Sequence, residues 1–159
     1  FMSFDREVGA WVPPRPGRAQ LGRLLEASYA LEPSRSDPDH RRFAQELRRR
    51  QKKRALVVVI TDFVDLDGSE ALLQILPGLA KRHAVLWVAL RDPALRKNVN
   101  RSVSNTSDAY RSVVALGLQQ RRAELMERLR RLGLSAVDAE PSEVSAQTLR
   151  SYLALRARQ

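Results

Sequence analysis

The chain has no cysteine among its 159 residues, which excludes a disulfide scaffold, thiolate metal ligands and a cysteine nucleophile. Histidine is almost as scarce. His40 and His83 are the only two, too few for a histidine-rich metal centre. Both stand among cations, His40 before Arg41-Arg42 and His83 after Lys81-Arg82, and both read as surface residues. No apolar run approaches the roughly 18 residues a membrane-spanning helix needs. The first residues carry no charged segment followed by an apolar one, so they do not read as a secretory signal. Seven glycines form neither G-x-G-x-x-G nor G-x-x-x-x-G-K-[ST], and no G-x-S-x-G elbow occurs. Dinucleotide sites, P-loops and hydrolase-type serine nucleophiles therefore have no support.

Lysine is the next scarcity: 4, against 24 arginines. The formal charge is +10, which raises nucleic acid and anionic membrane as partners. A surface built for phosphate commonly draws on both cations, so the bias reads first as composition. The densest basic segment, Arg48 to Arg54, spreads around a helix end and has no aromatic residue to stack a base. The reading is against nucleic acid, and a basic nucleic-acid-binding domain stays open only as an alternative. With 43% hydrophobic and 29% charged residues the chain is globular. Its length suits one domain, 1–159.

Residues 1–14 alternate as a β-hairpin turning at Asp5-Arg6-Glu7 and ending at Pro13-Pro14. Residues 18–31 predict a helix with Leu21, Leu24, Leu25, Ser28 and Leu31 on one face. Residues 39–53 predict another, capped by Asp37 or Asp39, with Phe43 and Leu47 inward. The run 55–60 reads as a strand buried on both faces, followed by a helix at 69–82 and a second buried strand at 84–90. A long helix at 107–132 carries Ala109, Val113, Leu116, Ala123, Leu125, Met126 and Leu129, and stops at Gly133. A short strand from 134 and a last helix opening at Pro141 complete the order. From residue 55 this is β-α-β-α-β-α, an α/β fold with a largely parallel sheet and helices on both faces. Such sheets bind ligands at the carboxyl ends of their strands. Thr61-Asp62, Arg91-Asp92 and Asp138 are then the candidate positions.

Asp65-Leu66-Asp67-Gly68-Ser69 imitates a phosphatase signature, in which a strand-tip aspartate is the nucleophile and an aspartate two residues on the acid. The strand tip here is Asp62, three residues early, and Arg91 stands where a Ser/Thr is needed. A helix-capping turn is the simpler reading. A small phosphatase or phosphotransferase using Asp62 or Asp65 stays open as an alternative.

Five segments together resemble one bacterial family. They are Phe4-Asp5 with Val12-Pro13-Pro14; Arg54 through Thr61-Asp62-Phe63; His83 through Leu90-Arg91-Asp92-Pro93; Asp108-Ala109-Tyr110-Arg111; and Tyr152 through Arg158. The chain resembles the C-terminal part of the domain-of-unknown-function-58 family, whose core is a von Willebrand factor A-like domain. The resemblance implies a three-layer α/β sheet and a metal-ion-dependent adhesion site on three loops. Asp62 matches the aspartate of the third loop, and Ser36 lies near the second loop's position without its usual threonine. The first loop, Asp-x-Ser-x-Ser, has no counterpart. Mg²⁺ prefers near-octahedral oxygen coordination, so Asp62 and Ser36 alone predict no tight metal in this chain, with Mg²⁺ reserved for a longer protein.

The resemblance also implies a missing first strand, in keeping with a chain that opens on the strand-like Phe1-Met2-Ser3-Phe4. Residues 1–12 and 55–61 then present unpaired edges, which invite a homodimer or packing of the hairpin on the strand at 55–61. The function implied is a non-enzymatic, adhesion-type protein-interaction module. It would work with a MoxR-type AAA+ ATPase in the cytoplasm, with any membrane attachment supplied by segments outside this chain.

Overall fold

In the computed structural model the described residues are 1–32, 38–62, 67–99 and 104–157, with backbone alone at 62, 67–72, 96 and 97. They divide into two compact units, Phe1–Lys53 and Arg54–Gln159.

The first unit begins with strands β1 (Met2–Phe4) and β2 (Val8–Trp11), paired antiparallel. The Asp5 carboxylate accepts from the Glu7 amide at 2.8 Å, an Asx turn that reverses the chain. The Ser3 hydroxyl accepts the Ala10 amide at 2.8 Å. It also lies 2.7 Å from where a β-carbon on Gly9 would stand, so a side chain there would turn the hydroxyl away from the Ala10 amide. Helix α1 (Ala19–Tyr29) follows, then α2 (His40–Arg50). Asp39 caps α2, accepting from the Arg42 amide at 2.9 Å, while its own amide donates to the Asp5 carbonyl at 2.8 Å. Phe43, Ala44 and Leu47 are buried, and Phe4 stacks on Phe43 with ring centroids 4.4 Å apart.

Burial in this unit does not follow helical period or residue type alone. No residue of α1 is buried, and Leu21 and Leu25 are 63% and 50% exposed. The helical period is present, but it leaves both leucines largely in solvent. His40, expected on the surface, is buried. Positions 40, 43, 44 and 47 share one face of α2, and the Phe4 ring meets the imidazole edge-on at 5.8 Å.

The second unit is built on strands β3 (Leu56–Asp62), β4 (Ala84–Leu90) and β5 (Ser135–Ala139), parallel and in that spatial order. The connecting helices are α3 (Asp67–Ala80), which runs through Pro77; α4 (Pro93–Val99); and α5 (Thr106–Arg131). Helix α6 (Val144–Ala157) follows β5. The chain is thus a mixed α/β protein, with a three-stranded parallel sheet and a two-stranded antiparallel hairpin among its described residues.

Alternation sorts the sheet's faces. Leu86 and Val88 of β4 join Val137 and Ala139 of β5 in a buried cluster against which Leu56 and α6's Val144 and Leu155 pack. Asp138 points the other way and meets Arg122 of α5, so α5 covers the opposite face. Right-handed crossovers put α3 on that same side. Leu76 and Leu79 of α3 are buried, as are Leu125, Met126 and Leu129 of α5.

Strand β4 is buried on both faces, as its unbroken apolar run predicts. Strand β3 is not: Val59 is buried, but Val58 and Ile60 are 39% and 59% exposed. It lies at the edge of the described sheet, and α6 lies over β4 and β5. The inward stripe of α5 also differs from the expected one. Its buried residues are Asp108, Ser112, Ala115, Arg122, Leu125, Met126 and Leu129; Leu125, Met126 and Leu129 are as expected, whereas Val113 and Leu116 are left in solvent. Gly133 sits at φ +75° just past the Leu132 cap, as a helix stop requires.

Candidate functional site

The carboxyl edge of the parallel sheet brings Asp62, Leu90 and Ala139 into register. Asp62 is the last residue of β3, and its side chain lies outside the described residues. Ser36, Asp37 and Asp65 also lie outside them. Of the expected positions, the structure joins Arg91 to Asp138. The Arg91 amide donates to the Ala139 carbonyl at 2.9 Å, extending the ladder by one residue. Its guanidinium lies 3.2 Å from one Asp138 carboxylate oxygen, and the same nitrogen donates to the Asp138 carbonyl at 3.3 Å.

The other side of Asp138 is held by Arg122, which sequence reading missed. Its Nε donates to Oδ1 at 2.9 Å, and Nη2 lies 2.8 Å from the same oxygen. The Arg122 side chain is only 6% exposed. Burial by itself would raise the Asp138 pKa. Hydrogen bonds and charge from Arg122, then from Arg91, outweigh that and hold it below the ordinary carboxylate value. A signal for Arg122 did exist: it lies seven residues after Ala115 and four before Met126, on the apolar stripe of α5. A lone cation on such a stripe implies a buried acid opposite.

Asp92 is used locally, accepting the Ala94 amide at 2.8 Å at the start of α4. The start of α5 is similarly knit. Asn105 caps it by accepting the Asp108 amide at 2.8 Å, and the buried Asp108 accepts the Ser104 hydroxyl at 2.7 Å. Ser112 donates to the Asn98 carbonyl at 3.0 Å, tying α5 to α4.

Asp138 is shared by two guanidiniums, and Asp92 is engaged with α4's backbone. Among the described residues no three His, Asp or Glu side chains cluster as ligands.

His83, expected on the surface, is 2% exposed. It lies between α3 and β4, its amide donates to the Leu79 carbonyl at 2.9 Å, and its ring nitrogens have no partner among the described residues. Burial, then the Arg82 charge, pushes its pKa down, so the ring is neutral at pH 7. The connection is short, and the first inward position before a buried strand falls on His83, whatever its polar sequence neighbours.

The basic end of α2 is largely engaged within its own helix. Arg49 and Arg50 each reach the Glu46 carboxylate at 2.9 Å, and Arg50 also lies 5.4 Å from the Trp11 ring centre. Glu46 is held at a pKa of about 2 by hydrogen bonds from Arg49 and then Arg50. Among the described residues no helix is long and apolar enough to cross a membrane.

No curated protein and no solved structure matches the chain. A family model does match, over residues 1–132, from the hairpin to the C-terminal cap of α5; β5 and α6 follow the matched region. That span is most of the chain, and the protein belongs to the family described as Protein of unknown function DUF58.

Proposed function

We propose that the chain is a non-enzymatic protein-interaction module with a von Willebrand factor A-like sheet, working with a MoxR-type AAA+ ATPase. One observation carries the reading: large apolar side chains face solvent on helices and a strand that are otherwise well formed. Leu21, Leu25 and Tyr29 do so on α1, Val58 and Ile60 on β3, and Tyr110 and Val113 on α5. Exposed apolar residues grouped by helical or strand period favour docking surfaces. The polar groups at the sheet's carboxyl edge meanwhile satisfy one another, as structural ion pairs do. Mg²⁺ coordination at Asp62 is proposed only for a protein that supplies further oxygen ligands beside it.

The test is binding of a purified MoxR-type ATPase, measured by biolayer interferometry with EDTA present. Saturable binding supports the reading; none at any protein concentration rejects it. A companion assay with p-nitrophenyl phosphate addresses the enzymatic alternative. Turnover that disappears in Asp65→Asn or Asp62→Asn would replace the interaction reading with a phosphatase.

A further inference from the structure

One face of the parallel sheet is only partly covered. Helix α6 packs on Leu86 and Val88 of β4 and on Val137 and Ala139 of β5. Val58 and Ile60 pair in register with Leu86 and Val88, so their side chains rise on that same face, beside α6. They remain 39% and 59% exposed.

The flank of α6 facing them is apolar as well. Leu149, Tyr152, Leu153 and Arg156 follow the i, i+3, i+4, i+7 spacing of one helix stripe. Tyr152 and Arg156 line a cleft of about 340 Å³ whose other wall is Arg54, Ala55 and Leu56 at the start of β3. The stripe therefore faces β3. Leu149 and Leu153, further along it, are 57% and 52% exposed. Strand floor and helix wall together form an apolar groove along β3.

Its width suits a helix. Packed helices lie about 8–10 Å apart, and strands about 4.8 Å apart. A helix set beside α6, which is centred over β4 and β5, would lie over β3. One end of the groove is cationic. Arg54 and Arg156 are exposed and form no ion pair among the described residues. A net charge of +10 opposes a second copy of this chain as occupant and favours an acidic one.

We infer that the β3–α6 groove docks an amphipathic helix of a partner protein, with apolar residues on Val58, Ile60, Leu149 and Leu153 and carboxylates at the end that meets Arg54 and Arg156. The inference rests on the interaction reading and names its surface.

The probe is a labelled synthetic helix of about five turns, with leucines at i, i+3, i+4 and i+7 and two glutamates in its last turn. Fluorescence anisotropy is expected to show saturable binding that weakens at least tenfold in Ile60→Glu and in Leu153→Glu. Replacing the glutamates by lysines is expected to weaken binding tenfold, and the Arg54→Glu/Arg156→Glu protein should reverse that preference. All four positions are solvent-exposed, and unchanged circular dichroism confirms that each variant is folded. Undiminished binding by the groove variants, or a preference that does not reverse, overturns the proposal. So does sedimentation showing a dimer that Ile60→Glu dissociates, which would make the occupant a second copy. Peptide failure with the ATPase still bound rejects the groove alone. Loss of ATPase binding rejects the interaction reading and leaves the peptide result to judge the groove.

Discussion

Replacing Asp138 by asparagine removes the one charge that both Arg91 and Arg122 address, with almost no change in shape. Arg122 is the decisive partner, because its side chain is 6% exposed while that of Arg91 is 39% exposed. Removing one member of a buried ion pair typically costs about 3–5 kcal/mol. Asp138 itself is 22% exposed, and asparagine keeps a carbonyl acceptor, so the lower end, about 3 kcal/mol, is expected. For a unit of roughly 100 residues that lowers the melting temperature by about 12 °C or more. Arg91→Ala, which removes a half-exposed partner, should cost about 1 kcal/mol or less. The pH dependence supplies a second readout. The folded-state pKa of Asp138 lies below its ordinary value of 3.8, so its stabilisation is complete above that value and is lost as pH falls below it. The acid limb of the stability curve should therefore be shallower in Asp138→Asn than in the parent. Urea unfolding of parent, Asp138→Asn, Arg91→Ala and Arg122→Met/Asp138→Asn gives the comparison, and the double variant should recover much of the single variant's loss. An Asp138→Asn cost under about 0.5 kcal/mol, the usual range of a surface substitution, would refute the account, as would equal costs at Asp138 and Arg91.

Further predictions concern individual groups. His83 and His40 both have pKa values pushed below the ordinary 6.5, so stability should fall as pH drops below that value; His83→Leu/His40→Leu should flatten urea midpoints between about pH 8 and pH 5. Gly133→Ala meets no atom within 4 Å but must hold φ at +75°, so its cost, about 1 kcal/mol, is purely conformational and should appear as a lower urea midpoint with an unchanged slope. Leu129→Ala, at a fully buried position, should cost about 2–5 kcal/mol in the same measurement. The Glu46 carboxyl carbon should titrate at about 2 by NMR and return toward 4.5 in Arg49→Ala/Arg50→Ala.

The elements easiest to read from sequence are those whose environment is the same all round. Ala84–Leu90 is apolar without interruption because both faces of β4 are covered, and its bounds match the expected strand. Helix α5 ends where Gly133 permits the left-handed turn. Reading becomes harder where a pattern specifies an element but not its cover. Leu56–Asp62 and Ala84–Leu90 look alike as β-branched and apolar runs, yet only β4 has a strand on each side in the described sheet. Helix α1 likewise has its leucine period, yet Leu21 and Leu25 stay in solvent. Periodicity records what an element offers; burial also depends on what lies across from it.

Polar residues invert the same argument. His40, His83, Asp108 and Arg122 are each buried, and each was expected outside or passed over because its residue type is usually solvated. Position along the element outweighs type in all four. His40 and Arg122 fall on inward stripes, Asp108 on the first turn of α5 beside Ser104 and Asn105, and His83 on the step into β4. The arginine excess then separates into distinct uses. Arg122 and Arg91 balance Asp138 inside the second unit, Arg49 and Arg50 converge on Glu46, and Arg54 and Arg156 stand at one end of the β3–α6 groove. Guanidinium suits the first two uses because its planar fork can reach two acceptors while remaining charged when buried. A phosphate-binding stripe would need its cations unpaired and aligned. Arg49 and Arg50, at the most basic segment of the chain, converge instead on one carboxylate of their own helix.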